Sequence, residues 1–342
     1  MKLRATKENR HQAEDQISII ERIQTALEQS RCVLVASHVD PDGDALGTQL
    51  AFVQYLRDMG KAAHPYVQDD VPDKYRFLFG SDPADSELGT SHSEEFDTVL
   101  ALECPQLGRL GGAARFLGSG TRIINIDHHP DNNLEADICW LDSERSSVGE
   151  MAYEYFEQVG YFISPGVAEQ LYTAILTDTG RFRFNSTSPR TMQIAGELIR
   201  CGADPKKIVD AVYNNLSPQA MKLLGNVLNS IEYYDSDRIC ILSLTRLMLS
   251  ESGAQAADSE GLVDFTLYSQ GSICGALLKE IDSQTTKVSL RSRNGINVSE
   301  IATRFGGGGH FNAAGCVLKQ SLLDAKATIV AVLSQAAGGT ND

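Results

Sequence analysis

The sequence predicts an α/β protein whose first domain has a mainly parallel sheet with helices on both faces, followed by a second, smaller α/β domain. Three observations predict this fold class. Short apolar, β-rich runs alternate with stretches of helical periodicity through the first half of the chain. A helical stretch without strands comes next, and strand patterns return in the last third. The length of 342 residues is also more than one compact core usually holds, which favours two domains.

In the first domain, strand patterns and helical patterns follow one another as expected for repeated βαβ units. Sites in such folds form in the loops at the carboxyl ends of the strands. Polar residues directly after each predicted strand are therefore the first candidates for a functional site. The strands are predicted at 32–36, 62–67, 98–103 and 122–126, and the helices at 45–59, 148–158 and 167–176.

Residues 189–230 show helical patterns punctuated by glycine and proline, and we predict a helical linker there. The first domain is accordingly placed at 16–188 and the second at 231–338. The second domain has predicted strands at 239–244, 273–279, 287–291 and 315–318, and a terminal helix at 322–336.

Composition and charge exclude several classes of protein. The formal net charge of −15 disfavours a protein that coats long duplex nucleic acid, because such a chain repels a polyanion. No apolar run nears the roughly 20 residues that span a bilayer, so we expect a cytoplasmic protein without a membrane partner. The seven cysteines are scattered and form no C-x-x-C pair, which indicates neither a disulfide framework nor a structural zinc site.

The most informative motif follows the first predicted strand. It places His38, Asp42 and Asp44 between that strand and the next helix, where one turn can direct all three side chains inward. Imidazole and carboxylate together suit Mn²⁺, Fe²⁺, Co²⁺ or Zn²⁺, whereas oxygen ligands alone would favour Mg²⁺ or Ca²⁺. The alternative is that these aspartates only form a turn and cap the helix.

A second cluster follows another predicted strand, where Asp127, His128 and His129 are adjacent. In a loop, one histidine can bind a metal while the other meets substrate, and Asp127 can orient a ring through its second nitrogen. A third acidic position, Asp178, comes at the end of a mostly apolar helix. A buried carboxylate at that place needs a partner.

The second domain carries a run of four glycines, Gly306 to Gly309, next to His310. Glycines adopt positive φ freely and expose N–H groups that can bind an anion, although a glycine run alone is often only a flexible loop. Arg291, Ser292 and Arg293 leave a predicted strand shortly before it, and guanidinium groups suit phosphate.

Four motifs stand in order along the chain: His38-x-x-x-Asp42-x-Asp44, Asp127-His128-His129, Thr177-Asp178-Thr179-Gly180 and Gly306-Gly307-Gly308-Gly309-His310. Together they resemble the motifs of the DHH-family phosphoesterases and their associated DHHA1 second domain. Order and spacing match from about residue 16 to residue 336. Within that superfamily the resemblance is strongest to the NrnA-type proteins, which act as nanoRNases and as 3′-phosphoadenosine-5′-phosphate (pAp) phosphatases.

The resemblance implies a site for two divalent metal ions, usually manganese, on the first domain. By matching positions, His38 and Asp42 would hold one ion, and a carboxylate after Leu102 would bridge the two. That residue is Glu103, where the family pattern more often has aspartate. Two ions roughly 3.5–4 Å apart can hold a shared hydroxide and clamp a phosphoryl oxygen during in-line displacement. The ligands implied for the second ion are Asp44, His128 and Asp178.

The resemblance also implies how substrate is held. His129, which is not used as a metal ligand in this scheme, would contact the phosphate or assist the leaving oxygen. Arg109 would bind substrate or shape its loop. The second domain resembles a nucleotide-binding lid, and a cleft between the domains would form the active site and limit substrate length. The residues expected to contact substrate there are Arg291, Ser292, Arg293, Gly307, Gly308, Gly309 and His310.

These expectations together predict a metal-dependent phosphoesterase that hydrolyses short RNA to mononucleotides and that can convert pAp to AMP. The alternative within the enzyme class is a phosphodiesterase for linear or cyclic dinucleotide second messengers. The alternative of another class is a non-catalytic nucleotide sensor or RNA-binding subunit, which only the glutamate at position 103 favours. Short RNA or a nucleotide is the expected partner, and a homodimer remains open.

Overall fold

The computed structural model describes residues 7–80, 95–118, 120–293 and 295–338, with the side chains of residues 7–17 and of His310 outside that description. The chain divides into two compact units, Met1–Asn215 and Leu216–Asp342. Each unit is built around its own sheet, and the predicted fold class is confirmed. Within the described ranges, none of the helices combines the length and the apolar character that crossing a bilayer requires.

The sheet of the first unit has five strands, all parallel, in the order β2-β1-β3-β4-β5. Adjacent in the middle are β1, β3 and β4, whose carboxyl ends therefore lie side by side. The fifth strand was not predicted, because it is only four residues long and its side chains are partly exposed. The strands are β1 (Cys32–Ala36), β2 (Ala62–Tyr66), β3 (Thr98–Leu102), β4 (Arg122–Asp127) and β5 (Ile138–Leu141).

Alternation along the strands divides the core of the first unit. Val33 and Val35 belong to the cluster that packs against the α-helices. Leu34 and Ala36 point the other way and pack with a 3₁₀ segment at Leu107–Phe116. The helices of this unit are α1 (Lys7–Gln29), α2 (Gly43–Asp58), α3 (Val148–Gln158), α4 (Pro165–Asp178), α5 (Pro189–Arg200) and α6 (Pro205–Tyr213).

Glycines let three of these helices approach closely. A Cβ at Gly47 of α2 would lie 2.3 Å from the carbonyl oxygen of Gln170 in α4, and one at Gly149 of α3 would lie 2.5 Å from the Cβ of Ala174. Nearer the sheet, a Cβ at Gly43 would lie 2.5 Å from the hydroxyl oxygen of Thr177. The amino ends of α2 and α3 and the carboxyl end of α4 therefore meet in one place.

The segment predicted as a linker consists of three helices that divide between the two units. Ile194 of α5 and Ile208 of α6 are buried in the core of the first unit. Leu223 and Val227 of α7 (Pro218–Leu228) are buried in the second unit.

The second unit has a mixed sheet of six strands in the order β10-β11-β9-β8-β7-β6. Only β7 and β8 pair in parallel, and the other neighbours are antiparallel. One face packs against α9 and α10, and the other against α7 and α8. The remaining elements are β6 (Glu232–Tyr234), β7 (Ile239–Leu244), α8 (Arg246–Ser252), β8 (Cys274–Asp282), β9 (Thr285–Ser292), α9 (Val298–Thr303), β10 (Gly308–His310), β11 (Ala313–Leu318) and α10 (Leu322–Gly338).

Candidate metal centre

Three neighbouring strands deliver three side chains to one place. His38 follows β1 by two residues, Glu103 comes directly after β3, and His128 comes directly after β4. The Nε2 atom of His38 lies 3.3 Å from Oε2 of Glu103, and Nε2 of His128 lies 3.8 Å from Oε1 of the same carboxylate. All three side chains are buried. The loops that the sequence marks as candidates therefore do converge.

Asp42 completes a first ligand group with His38 and Glu103, whose donor atoms lie within 4.8 Å of one another. The Nδ1 atom of His38 lies 2.7 Å from the carbonyl oxygen of Val39, which leaves Nε2 facing the carboxylates. Asp42 is also the N-cap of α2, because its Oδ1 accepts hydrogen bonds of 3.0 Å from the backbone N–H groups of Asp44 and Ala45. In this geometry Asp42 can cap α2 and serve as a metal ligand at the same time.

Asp44, His128 and Asp178 form a second group with the same spacing of donor atoms. Nε2 of His128 lies 3.4 Å from Oδ2 of Asp178. The opposite ring nitrogen, Nδ1, lies 3.2 Å from the carbonyl oxygen of Arg145. This contact orients the ring, as such contacts do in metal sites.

The carboxylate of Asp44 is fully buried and lies at the amino end of α3. It accepts hydrogen bonds from the N–H groups of Val148 at 2.7 Å and Gly149 at 2.8 Å, and from the Thr48 hydroxyl at 3.1 Å. Backbone N–H groups at a helix amino end stabilise an anion there. These hydrogen bonds explain how the fold holds a carboxyl group that is fully buried.

Glu103 belongs to the first group and lies next to the second, whose His128 it contacts. It contacts His38 on one side and His128 on the other, and it forms a third group with His128 and His129. Its backbone is left-handed, with φ of 52°, and such a conformation at a residue other than glycine costs roughly 1–3 kcal/mol. The end of β3 therefore holds Glu103 in a strained backbone turn.

Asp127 is buried and organises the loop after β4. Its Oδ1 lies 2.8 Å from Nδ1 of His129 and accepts a hydrogen bond of 2.8 Å from the N–H of His128. Its Oδ2 accepts a 2.5 Å hydrogen bond from the side-chain amide of Asn132, which also donates to Asn125. Asp127 therefore orients His129, as the sequence predicts.

Sequence reasoning missed the partners that hold these side chains. Asn132 lies five residues beyond Asp127 in the same loop, and that proximity is the one available signal. The carbonyl oxygen of Arg145 and the N–H groups of Val148 and Gly149 are backbone atoms, whose identity leaves no mark in the sequence.

Crowding of acidic groups shifts the pKa values in the candidate centre. Burial opposes protonation of His38, but the adjacent Glu103 and Asp42 outweigh it and raise the pKa of His38 to about 9. Burial raises the pKa of Asp178 to about 7, and also raises that of Asp44 well above its usual range. Protons therefore neutralise part of the negative charge in this arrangement.

The residues present fit a pair of divalent cations. Oε2 of Glu103 is a buried oxygen that lacks a hydrogen bond from any described residue, although it lies 3.3 Å from a histidine nitrogen. Buried polar atoms are normally satisfied, and a cation would satisfy this one. The four carboxyl groups of the two groups would carry a charge of −4 when all are ionised, which two divalent cations would balance. They are Asp42, Asp44, Glu103 and Asp178.

Arg109, expected to bind substrate or shape its loop, is exposed within the 3₁₀ segment that covers one face of the first sheet. Its carbonyl oxygen accepts a 2.8 Å hydrogen bond from the N–H of Val39, next to His38. The backbone of Arg109 thus does shape the loop, and a role of its side chain in binding substrate stays a prediction.

In the second unit, the predicted substrate residues have structural partners of their own. Nε of Arg291 lies 2.9 Å from Oδ1 of Asp264, and Arg293 is exposed and donates to the carbonyl oxygen of Leu267. Ser292 is buried, and its hydroxyl donates to the carbonyl oxygen of Ile296 at 2.6 Å.

The glycine run forms part of a hairpin. Gly308 and Gly309 lie in β10, which pairs antiparallel with β11 and ends at His310. A Cβ at Gly307 would lie 2.1 Å from the carbonyl oxygen of Gly315, so this glycine is required for the close approach of two backbone segments. Contact of the run with an anion stays a prediction, and the side chain of His310 is outside the described part of the structure.

Comparison with known proteins connects these observations to a family. The model of the "DHH family, N-terminal domain" matches residues 32–175, and that of the "DHHA1 domain" matches residues 239–339. The chain is 32% identical to the "Bifunctional oligoribonuclease and PAP phosphatase NrnA" of Thermus thermophilus, over 85% of this chain and 86% of that protein. It is 26% identical to the protein of the same name from Bacillus subtilis, over 83% and 88%.

Among solved structures, an exopolyphosphatase-related protein from Bacteroides fragilis superposes with a TM-score of 0.84 at 29% identity, over 93% of this chain and 95% of that one. The manganese complex of RecJ from Thermus thermophilus shares the fold at 14% identity, with a TM-score of 0.53 over 94% of this chain and 55% of that one. The matched domains, the full-length similarity to these relatives and the convergence of the histidine and carboxylate motifs agree, and the chain belongs to the DHH family of phosphoesterases, with a DHHA1 second domain.

Proposed function

We propose that this phosphoesterase hydrolyses short oligoribonucleotides to mononucleotides and also removes the 3′-phosphate from pAp. One observation carries the proposal: two groups of histidine and carboxylate ligands lie side by side near the ends of three adjacent strands, and Glu103 of the first group lies 3.8 Å from His128 of the second. Similarity to two proteins named as oligoribonucleases and PAP phosphatases supports this choice of substrate.

In this proposal His38, Asp42 and Glu103 would hold one cation, and Asp44, His128 and Asp178 would hold the other. Bound divalent cations supply Lewis-acid stabilisation of a phosphoryl group and make water a stronger nucleophile near neutral pH. Manganese fits a set of imidazole and carboxylate donors among the first-row metals. The chain's own contribution is to orient each ligand through the backbone contacts of His38, His128 and Asp44.

His129 acts on the substrate. Asp127 holds its Nδ1 at 2.8 Å, which directs Nε2 to the opposite side of the ring. Burial opposes protonation of His129, but the contact with Asp127 outweighs it and raises the pKa of His129. The ring therefore keeps its proton more readily near neutral pH and donates it to a phosphate oxygen or to the leaving oxygen.

Short substrates suit the charge of the chain. A net charge of −15 repels a long polyanion, whereas a few nucleotides need only local cations. Arg109 on the first unit, and Arg291, Arg293 and His310 on the second, are the side chains we assign to phosphate or base contacts. Ser292, Gly307, Gly308 and Gly309 position Arg291, Arg293 and His310 of the second unit through the hairpin and the end of β9.

The test is a substrate panel with purified, metal-stripped protein. We expect release of AMP from 5′-phosphorylated diadenylate (pApA) and of phosphate from pAp when Mn²⁺ is added, and neither reaction when a chelator is present. H129N should lower turnover while keeping the shape of the ring's neighbourhood. Tight binding of pApA without product under any divalent cation would contradict the proposal in favour of a binding protein, and a preference for cyclic dinucleotides would contradict the choice of substrate.

A further inference from the structure

The loop after α4 has an unusual backbone. Gly180, Arg181 and Phe182 are consecutive and all have positive φ, of 55°, 65° and 59°. A left-handed conformation costs an ordinary residue roughly 1–2 kcal/mol, so two such residues in a row are held there by their surroundings. Backbone strain of this kind clusters at functional sites.

A network of short hydrogen bonds holds this turn in place. The N–H of Arg181 donates to the carbonyl oxygen of Leu176 at 2.8 Å, and the N–H of Phe182 donates to the hydroxyl of Thr179 at 3.0 Å. The carbonyl oxygen of Thr179 accepts 3.0 Å hydrogen bonds from the N–H groups of the next two residues, Arg183 and Phe184. These hydrogen bonds therefore tie the backbone of Phe184 to Thr179, next to Asp178.

The ring of Phe184 rests on the backbone of Gly180. A Cβ at Gly180 would lie 2.5 to 2.8 Å from three atoms of that ring, so only glycine permits this contact. Phe184 nevertheless remains 41% exposed. Gly180 is two residues beyond Asp178, and their Cα atoms can be at most about 7 Å apart. The exposed ring of Phe184 thus contacts the residue two positions beyond Asp178, a member of the second ligand group.

We propose that Phe184 is a stacking platform for the nucleobase of a nucleotide whose phosphate lies at the metal centre. This inference rests on the proposed function and names how that site holds a base. Stacking needs only the π-face that every base has, so the platform accepts all four bases. The guanidinium of Arg183, whose Nε donates to the carbonyl oxygen of Gly180 at 2.8 Å, places positive charge on the same turn.

The kinetic test compares F184A with a matched control, F162A. Phe162 is also an exposed phenylalanine, at 83%, but it lies just before the amino end of α4, a helix of 14 residues or about 21 Å, whereas Asp178 is at its carboxyl end. Base stacking is worth roughly 1–3 kcal/mol, so we expect F184A to lower kcat/KM for pApA by about 5- to 150-fold. F162A should match the parent protein, and F184Y, which keeps an aromatic ring, should lose much less activity than F184A. An analogue of pApA without bases should be hydrolysed equally by F184A, F162A and the parent protein.

A binding test works without turnover. In the F184W variant with chelator present, pApA should quench the fluorescence of the added indole, whereas ribose 5-phosphate should not. The parent protein, which has only the buried Trp140, supplies the background. If the parent protein hydrolyses pApA but F184A behaves as F162A and no quenching occurs, the stacking platform is wrong and the function stands. If the parent protein hydrolyses nothing, the proposed function is wrong. The fluorescence quenching of F184W by pApA is then the only test of base stacking on residue 184.

Discussion

Two aspartates of this chain provide a matched test of metal binding, because both are helix N-caps with nearly identical hydrogen bonds. Asp42 caps α2 through 3.0 Å bonds to two backbone N–H groups. Asp204 caps α6 through bonds of 2.9 Å and 3.1 Å, and it is exposed and outside every candidate ligand group. Replacing each by asparagine keeps the cap and removes one negative charge from the same position of a helix.

The size of the expected effect follows from these contacts. Asparagine and aspartate are about equal as N-caps, and the loss of a charge at a helix end costs about 0.3–1 kcal/mol in either variant. One kcal/mol shifts the Tm of a unit of this size by about 2–4 °C. A cation present at 100 times its Kd stabilises the folded state by about 2.7 kcal/mol. D42N should therefore lose about 5–11 °C of the rise in Tm that Mn²⁺ produces, and D204N should keep all of it.

The assay is thermal unfolding of metal-stripped protein with and without Mn²⁺. Metal-free D42N and D204N should unfold within a few degrees of the parent protein, because both keep their caps. D42A and D204A should each lose about 1 kcal/mol more in the metal-free state, which verifies that the two caps are equivalent. Full retention of the Mn²⁺ effect in D42N would refute the assignment of Asp42 as a ligand.

Three further predictions concern protonation, the glutamate and the glycine run. In the metal-free protein, burial raises the pKa of Asp178 to about 7, and Glu103 raises that of His38 to about 9. The folded state therefore keeps protons that the unfolded chain releases. Its stability falls as the pH rises through both values. Cations compete with those protons, and the rise in Tm on adding Mn²⁺ should grow from about pH 6 to about pH 9. E103D should lower kcat for pApA by about 100-fold. Shortening the side chain by one methylene would withdraw the carboxylate from His38 by roughly 1 Å or more. Activity at or above the parent level would show that the site is not adapted to glutamate. G307A should lower the free energy of unfolding of the second unit by about 1–3 kcal/mol in urea, because its methyl group would overlap β11. G308A should be neutral, because its methyl group would meet no atom within 4 Å. Equal stability of the two variants would contradict the packing argument.

The convergence of His38 and His128 could be predicted from sequence because it depends only on strand order, whereas Glu103 was identified through the family resemblance. Parallel strands present their carboxyl ends at one edge, so polar residues directly after β1, β3 and β4 meet whenever those strands are neighbours. Asp178 needed the family resemblance, because a carboxylate at the end of an apolar helix does not by itself indicate where that helix ends in space.

Other features depend on tertiary contacts that leave no local pattern. Asp44 is held by two N–H groups about 104 residues further along the chain, and any residue at those positions except proline would provide them. The glycine run illustrates a different difficulty. Glycine suits an anion-binding loop and a close backbone crossing equally well, and only the structure shows that Gly307 lies against the backbone of β11.

The close meeting of helix ends at Gly43 and Gly149 has a consequence for how the protein comes to be folded. Closing those helices brings Asp42, Asp44 and Asp178 close together while only protons offset their mutual repulsion. When divalent ions are scarce in a cell, this electrostatic repulsion opposes the folding of a newly made chain as its first unit closes. Supply of the ion then favours assembly of the first unit as well as its chemistry.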